Sequence, residues 1–264
     1  MTPTGDGVPI LMYHEVSERR VPGFEKYSVT RRAFTSQMQW LASAGHRTIG
    51  LDQLLAHRRA HTPVPPRAIV ITFDDGFRDC ATLAGPIMTS HGFSATFFVV
   101  AELMGRTSEW LRHERGVELP IMSWDDARAL EHAGHRCESH TATHARLTDV
   151  TPENCRAELT RSRTIIEERL GHEVRHLAYP FGAHNEQVRT IAAECGYDSA
   201  CTVSMGLSTS DDPPLELRRV PVLGSDSLLD FISRLGTAHT VSDRIAAFAR
   251  TLTGRTSTPG RTPR

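Results

Sequence analysis

The chain has 264 residues with 30 basic and 31 acidic side chains. This length suits one α/β domain, and the balanced charge gives no electrostatic argument for nucleic acid or an anionic membrane as a partner. The five cysteines form no Cys-x-x-Cys pair, so we expect reduced thiols rather than disulfides or a thiolate zinc site.

Strand-like and helix-like segments alternate along the chain, which is typical of parallel βα units. The predicted strands are residues 9–13, 68–73, 95–100, 135–139, 177–179 and 199–203. The predicted helices are residues 30–44, 51–58, 80–91, 124–133, 151–170 and 185–195. Capping residues support several of these bounds: Thr151 and Pro152 open one helix, and Gly171 closes it.

The two ends of the chain carry different signals. Residues 1–7 lack the basic and apolar segments of a secretion signal, and no later run reaches the roughly 18 apolar residues of a membrane-spanning helix. We therefore expect a cytoplasmic protein without direct membrane insertion; its oligomeric state stays unknown. Residues 1–7 are predicted to be a short extension, residues 8–250 the folded domain, and residues 251–264 a disordered tail rich in Thr, Pro, Gly and Arg.

Two carboxylates follow the most apolar predicted strand, in Thr72-Phe73-Asp74-Asp75-Gly76. Side chains at the C-terminal ends of parallel strands share one face of an α/β barrel. Burying an unpaired carboxylate there is costly, so a positive charge should compensate it. Asp-Asp-Gly after a strand is also common as a plain turn.

A histidine pair further along the chain supplies the second half of the pattern, in Ser139-His140-Thr141-Ala142-Thr143-His144. One carboxylate and two neutral imidazoles can hold a divalent cation and leave positions open for water and substrate. The other carboxylate would then be free to act as a base. Because the chain has 14 histidines, the pair is informative only together with the aspartates. Together they predict a metal-dependent hydrolase.

These segments resemble the motifs of the polysaccharide deacetylases, the NodB-like carbohydrate esterases of family four. The strand that ends at His14 and the segment Ala178-Tyr179-Pro180-Phe181-Gly182 resemble further motifs of that family, and the match covers roughly residues 8–223. The resemblance implies a distorted (β/α)7 barrel, related to the TIM barrel, as the catalytic domain.

The resemblance also implies a site and a reaction. The reaction is removal of the N-acetyl group from an amino sugar of an N-acetylglucosamine-type glycan or glycoconjugate, with release of acetate. The implied roles are Asp74 as general base, Asp75, His140 and His144 as metal ligands, Phe181 as backbone oxyanion donor, and Tyr179, Pro180 and Gly182 as substrate contacts. The expected metal is Zn²⁺, with Co²⁺, Ni²⁺ or Mn²⁺ as alternatives.

His14 is the predicted general acid. In most of the family this acid is a histidine in a late Leu-x-His motif, which has no counterpart after residue 200. In one branch the barrel is circularly permuted, so that the strand with this histidine comes first. The segment Leu11-Met12-Tyr13-His14 is similar to that arrangement. The alternative is that His14 only caps its strand.

The chain departs from the family pattern at several positions. Ala178 stands where an arginine usually orients the base, so Arg218 or Arg219 could supply that cation, and Arg219 is also predicted to contact substrate. The fourth motif, with its substrate-facing tryptophan, is not recognisable. Trp110, in an irregular insertion, is predicted either to stack on a sugar or to anchor the loop. Glu138 replaces a small residue and would narrow the site.

Two alternative functions remain open from the sequence. One is an allantoinase-like hydrolase of another non-peptide C–N bond. The other is a catalytically degenerate carbohydrate-binding relative, which the alanine at position 178 and the missing fourth motif favour. Asp74 argues against a pure binder, because such a protein needs no base.

Overall fold

Seven parallel strands close into a barrel in the computed structural model, which describes residues 7–244. The strands in chain order are β1 (Ile10–Tyr13), β2 (Glu15–Ser17), β3 (Ser28–Thr30), β4 (Arg47–Thr48), β5 (Ala68–Phe73), β6 (Thr96–Val99), β7 (Arg136–Ser139), β8 (His176–Ala178), β9 (Ser199–Met205) and β10 (Leu217–Pro221). Around the barrel they run β1-β10-β9-β8-β7-β6-β5, and β1 pairs with β5 to close the ring. The predicted (β/α)7 barrel is confirmed.

The remaining strands lie outside the ring. β4 pairs with the beginning of β5, and β2 pairs with β3 in a separate parallel ribbon directly after β1. The strand that carries His14 is thus first in the chain and lies between β10 and β5. The circular permutation itself stays a prediction.

Eight α-helices surround the barrel among residues 7–244: α1 (Arg31–Ser43), α2 (Leu51–Arg59), α3 (Gly85–Ser90), α4 (Glu109–Arg115), α5 (Trp124–His132), α6 (Pro152–Leu170), α7 (Glu186–Glu194) and α8 (Leu228–Thr237). A π-helical turn at Cys80–Ala84 leads into α3. Side chains cap the N-termini of α1, α5, α6, α7 and α8, each accepting a backbone N–H three residues later. None of these helices is both long and apolar enough to cross a membrane.

Apolar side chains form two cores. The larger core fills the layer between the strands and the surrounding helices. The smaller core includes residues from six barrel strands: Ile10, Ala68, Val70, Phe98, Ala178, Cys201 and Leu217. These strands come from all sides of the ring, so the side chains that they share must point inward, and this second core is the barrel interior. Strands buried on both sides read as continuous apolar runs, which is why β5 could be located from the sequence.

The predicted elements agree with the structure to within two residues at each end. Sequence reasoning missed the short strands β2, β3 and β4, and also β10, α4 and α8. β10 was missed because its sequence, Leu-Arg-Arg-Val-Pro, combines two arginines with a proline. The insertion at residues 105–120 is partly helical, since it contains α4. The predicted extension, apart from Gly7, and the predicted tail at 251–264 lie outside the described residues.

A polar network occupies the N-terminal end of the barrel, away from the predicted site. The Glu138 carboxylate accepts the backbone N–H groups of Arg175 and His176, at 2.9 and 2.8 Å. The prediction that Glu138 narrows the site is therefore wrong, because its side chain reaches toward the beginning of β8. His176 Nε2 donates to Asp52 at 3.1 Å, and its Nδ1 lies 2.9 Å from the Ser199 hydroxyl. This resembles a nucleophilic triad, but Ser199 is fully buried, so no substrate can reach it.

Replacing Asp52 by asparagine should cost less than about 1 kcal/mol of stability at neutral pH, because its side chain is 56% exposed. The hydrogen bond from His176 lowers the pKa of Asp52 below its usual value. A lowered carboxyl pKa contributes stability above the unfolded-state pKa, about 3.9, and that contribution is lost as the pH falls through the folded-state pKa. Urea unfolding at pH 7 and at a pH below the folded-state pKa of Asp52 should show the difference only at pH 7. Asp125→Asn is the matched control, since Asp125 also lies in a first helical turn; an equal pH-dependent loss there would contradict the assignment.

Candidate active site

The predicted site residues converge at the C-terminal face of the barrel. Asp74 and Asp75 directly follow β5, His140 follows β7, and His14 follows β1. All three strands run parallel in one closed sheet, so their C-terminal ends lie on one rim. Asp74, Asp75, His140 and His144 are buried. The convergence expected from the strand ends is therefore present.

Asp75, His140 and His144 form a compact group of possible ligands. Oδ1 of Asp75 lies 3.3 Å from His140 Nε2 and 3.2 Å from His144 Nε2. The ligand atoms of all three residues lie within 4.8 Å of one another. Burial raises the pKa of Asp75, but the hydrogen bonds of the two histidines outweigh it, so the net pKa falls well below its usual range. The carboxylate is therefore ionised.

These residues fit a divalent cation. Zinc–ligand bonds of about 2.0–2.2 Å place tetrahedral donor atoms roughly 3.4 Å apart, close to the separations between Asp75 and the imidazoles. His140 Nδ1 donates to the Ala178 carbonyl at 2.7 Å, so in the metal-binding form of the ring Nε2 would present its lone pair to the cation instead of donating to Asp75. A hydrogen bond of this kind is the usual way in which a metal-binding histidine is oriented. No other group of three such residues with this spacing occurs within residues 7–244.

The loop that carries the two histidines is fixed by a carboxylate that sequence reasoning missed. Glu158, on α6, accepts the backbone N–H groups of Ala142 and Thr143 and the Thr143 hydroxyl, at 2.8–3.1 Å. The Thr141 hydroxyl in turn accepts the N–H of His144 at 3.0 Å. Nothing in the helical sequence around Glu158 distinguishes it from the other charged residues of α6.

Asp74 makes a buried, two-pronged ion pair with Arg219 from β10. Arg219 Nη1 and Nη2 donate to Oδ1 and Oδ2 of Asp74, both at 2.7 Å, and Nε donates to the Thr202 carbonyl at 2.8 Å. Burial raises the pKa of Asp74, but the charge and hydrogen bonds of Arg219 outweigh it, so the net pKa is lowered. Arg219 thus keeps Asp74 ionised and fixes both of its oxygens.

This geometry decides between the predictions for the two arginines. Arg218 pairs with Asp212, at 2.7 Å, on the outside of the barrel. Arg219 is fully buried and its guanidinium donates to Asp74 and Thr202, so the structure gives no support to its predicted contact with substrate. Arg219 instead supplies the cation beside Asp74, the alternative prediction for this pair. Ala178 contributes its carbonyl to His140 rather than a charge.

Backbone strain is concentrated at the site. Among residues 7–244, seven non-glycine residues have left-handed φ angles, and four of them are Asp75, Thr141, His144 and Phe181. Such conformations cost about 1–3 kcal/mol each and persist where the surrounding structure enforces them. Because four of the seven lie on three loops of the site, the surrounding structure holds the backbone of these residues in place.

The turn after β8 presents the Phe181 backbone. Phe181 has φ 59°, and the hydrogen bonds of this turn are made by the N–H groups of Gly182 and Ala183, not by that of Phe181. Tyr179 and Pro180 are both buried, and their predicted substrate contacts stay predictions. The Tyr179 hydroxyl donates to the Leu215 carbonyl at 3.2 Å.

Gly182 has a structural role in the same turn. Its φ is +68°, and a Cβ at this position would collide with the side chain of Val203. Glycine therefore allows both the left-handed turn and the close approach of β9. Gly182 is half-buried, so substrate could reach it, and its predicted substrate contact stays a prediction.

Trp110 packs directly on a candidate ligand. Its ring stacks on His144, with centroids 4.2 Å apart and an interplanar angle of 16°, while Phe181 meets His144 edge-on at 4.7 Å. His144 Nδ1 is buried without a hydrogen-bond partner within the described chain. His144 is therefore held by packing against Trp110 and Phe181, whereas His140 is oriented by a hydrogen bond. The contact favours the anchoring alternative for Trp110.

Replacing Trp110 by alanine should weaken zinc affinity about 10-fold, because the His144 ring would lose its support. Trp110→Phe should retain most of the affinity, since it keeps an aromatic face. Isothermal titration with Zn²⁺ measures the effect without reference to turnover. Trp124→Ala, at a tryptophan of α5 outside the site, is the control. Unchanged affinity in Trp110→Ala would show that His144 is held by other means.

His14 lies beside the aspartates at the end of β1. Its ring packs on Tyr27, with centroids 4.7 Å apart, and its Nδ1 is buried without a partner within residues 7–244. The Cys80 thiol donates to the His14 carbonyl at 2.9 Å, which fixes the backbone. Burial lowers the pKa of His14, more than the charges of Asp75 and Asp74 raise it. A free imidazole nitrogen at this place suits a residue that exchanges a proton.

The seven-stranded barrel and the Asp-His-His group at its rim agree with the family that the sequence resembles. The family description "Polysaccharide deacetylase" matches residues 61–200, more than half of the chain. The chain belongs to the polysaccharide deacetylase family.

Individual relatives agree with this assignment. The chain is 26% identical to YxkH of Bacillus subtilis, whose name places it among the polysaccharide deacetylases, over 81% of this chain and 71% of that one. It is 22% identical to the poly-beta-1,6-N-acetyl-D-glucosamine N-deacetylase of Escherichia coli strain K12, over 89% of this chain but only 39% of that one. The fold is similar to that of the Streptococcus pyogenes deacetylase PplD, with a TM-score of 0.76 at 21% identity, over 87% of this chain and 98% of that one.

Proposed function

We propose that this protein removes the N-acetyl group from an amino sugar in an N-acetylglucosamine-type glycan or glycoconjugate and releases acetate. The observation that carries the proposal is Asp74, a buried ionised carboxylate that is paired with Arg219 and so remains separate from the Asp75, His140 and His144 group. Such a site combines a base with a place for a Lewis acid. The name of the E. coli relative supports an N-acetylated sugar as substrate, and the name of the B. subtilis relative supports deacetylation of a polysaccharide.

Asp75, His140 and His144 would hold the metal, with zinc as the default and Co²⁺, Ni²⁺ or Mn²⁺ as alternatives for the same donors. When bound, such a cation polarises the acetamide carbonyl and lowers the pKa of water. Both imidazoles must stay neutral to bind it. Burial favours this for His144, because it lowers the pKa of that ring.

Asp74 would accept a proton from the attacking water as the new C–O bond forms. Arg219 makes Asp74 a weaker base, because it lowers the carboxyl pKa, but it holds the carboxylate in one orientation. Positioning of this kind can offset a loss of basicity.

The remaining roles belong to Phe181 and His14. The Phe181 N–H, free of the turn's own hydrogen bonds, would donate to the oxygen that becomes negatively charged. His14 would give a proton to the amine as the C–N bond breaks. Acetate and a free amino sugar are then the two products.

The test is acetate release by metal-loaded protein from a panel of N-acetylglucosamine oligomers and conjugates, compared with the chelated protein. The proposal expects acetate only from the metal-loaded protein. Asp149→Asn, at an exposed aspartate, should leave release unchanged. Hydrolysis of ureides without acetate release would favour the allantoinase-like alternative. Sugar binding without any turnover would favour the carbohydrate-binding alternative.

A further inference from the structure

Two cations lie over a tyrosine at the edge of the candidate site. Lys26 Nζ is 5.0 Å and Arg115 Cζ 5.5 Å from the centroid of the Tyr27 ring. The same ring packs on His14 with centroids 4.7 Å apart. Both cationic groups are therefore within about 10 Å of the candidate general acid.

The two segments that supply these residues are packed together. Gly23 has φ +82°, and a Cβ there would lie 2.7 Å from Val117, just after α4. The Tyr27 carbonyl accepts the Glu15 N–H at 3.2 Å, and the Lys26 carbonyl accepts the Gly224 N–H at 2.9 Å. The backbone around Tyr27 is thus tied to β2, to the loop after β10 and to the α4 segment. This fixes the Tyr27 ring beside His14.

The charges of these two cations are not compensated. Neither Lys26 nor Arg115 has a carboxylate within 4 Å among residues 7–244, although Glu25 and Glu114 are their neighbours in sequence. Other cations of the α4 segment are paired, since Arg106 contacts Glu109 and Arg112 contacts Glu118. The two cations lie within about 10 Å of each other, because both are close to the same ring, and neither has an acidic partner. An anion that contacts both would be stabilised by their combined charge.

We propose that Lys26, Tyr27 and Arg115 form a subsite for a negatively charged group of the substrate, a phosphate or carboxylate carried on or next to the sugar that presents its acetamide to Asp74. This inference rests on the proposed deacetylation and narrows it to acidic amino-sugar conjugates. The ammonium and guanidinium groups would donate charge-assisted hydrogen bonds to the anion. Tyr27 would contact the sugar through its ring.

The kinetic test compares acetate release from N-acetylglucosamine 1-phosphate and 6-phosphate with release from neutral N-acetylglucosamine oligomers. Wild type should favour at least one phosphorylated substrate. Lys26→Met and Arg115→Met should each lower its kcat/KM about tenfold, mainly through KM, with a much smaller loss on the oligomers. The matched control is Arg112→Met, one turn earlier on α4, which should change neither. High salt should weaken the preference of wild type. Equal losses on charged and neutral substrates would overturn the proposal.

A binding test separates failure of this subsite from failure of the deacetylase proposal. Lys26 is the only lysine of the chain, so amine-specific acylation of Lys26 can be followed by peptide mass spectrometry. N-acetylglucosamine 1-phosphate should protect Lys26 from acylation even if no acetate is released, whereas the neutral sugar should not. Absence of protection would overturn the subsite. Binding to phosphatidylglycerol vesicles through Lys26 and Arg115, with no effect of the sugar phosphates, would also overturn it and indicate a lipid headgroup site.

Discussion

Replacement of Asp74 by asparagine is expected to lower kcat for acetate release by about 10²- to 10⁴-fold, while zinc binding is retained. The amide has nearly the shape of the carboxylate but cannot accept the proton of the attacking water. Zinc stays bound because the ligand group is Asp75, His140 and His144, which the substitution does not touch. Release should be measured at saturating substrate, with zinc content determined on the same sample.

The control for this prediction is the neighbouring aspartate. Asp75→Asn should lose both zinc and activity, because Asp75 approaches the two imidazoles. The two adjacent substitutions therefore separate the base from the ligand. Retention of more than about a tenth of the activity in Asp74→Asn would remove Asp74 from the role of base. Loss of zinc in that variant would make Asp74 a ligand instead.

Replacement of Arg219 by methionine is expected to lower the free energy of unfolding by about 3–5 kcal/mol, because it leaves the Asp74 carboxylate buried without its partner. The pKa of Asp74 should rise, since the charge of Arg219 opposes the effect of burial. Activity should fall as well, because the base loses its orientation and its ionised form. Urea unfolding at pH 7 gives the stability change. Arg219→Lys should be affected less, because it keeps the charge but loses the two-pronged geometry.

A double substitution tests the physical cause of this instability. Arg219→Met combined with Asp74→Asn removes both charges, so it should be more stable than Arg219→Met alone. If the double variant is as unstable as the single one, the loss comes from packing around Arg219 rather than from the unpaired charge. A cost below about 1 kcal/mol for Arg219→Met would contradict the ion-pair interpretation.

Local patterns were sufficient to locate most of the barrel and the central site residues. β5 is a continuous apolar run that ends in two aspartates, and His140 follows a second strand. Because parallel strands of a closed barrel place their C-terminal ends on one face, these residues could be predicted to converge without any distance. The same reasoning failed for β10, whose arginine-rich sequence hides a buried strand.

The partners that orient these residues could not be read from any local pattern. Arg219 meets Asp74 across 145 positions of sequence, and the sequence could not separate it from Arg218 until the strand showed which side chain points inward. Trp110 reaches His144, and Arg115 reaches Tyr27, only because loops from different strands pack together above the barrel.

The sequence by itself determined the chemical types at the site and the strands that carry them, since periodicity and strand ends are local properties of a chain. The tertiary structure decided which charge faces which carboxylate and which ring supports which imidazole. Those contacts depend on the closure of the barrel and on the loop packing above it. Both bring together side chains whose separation along the chain carries no information about their distance in space.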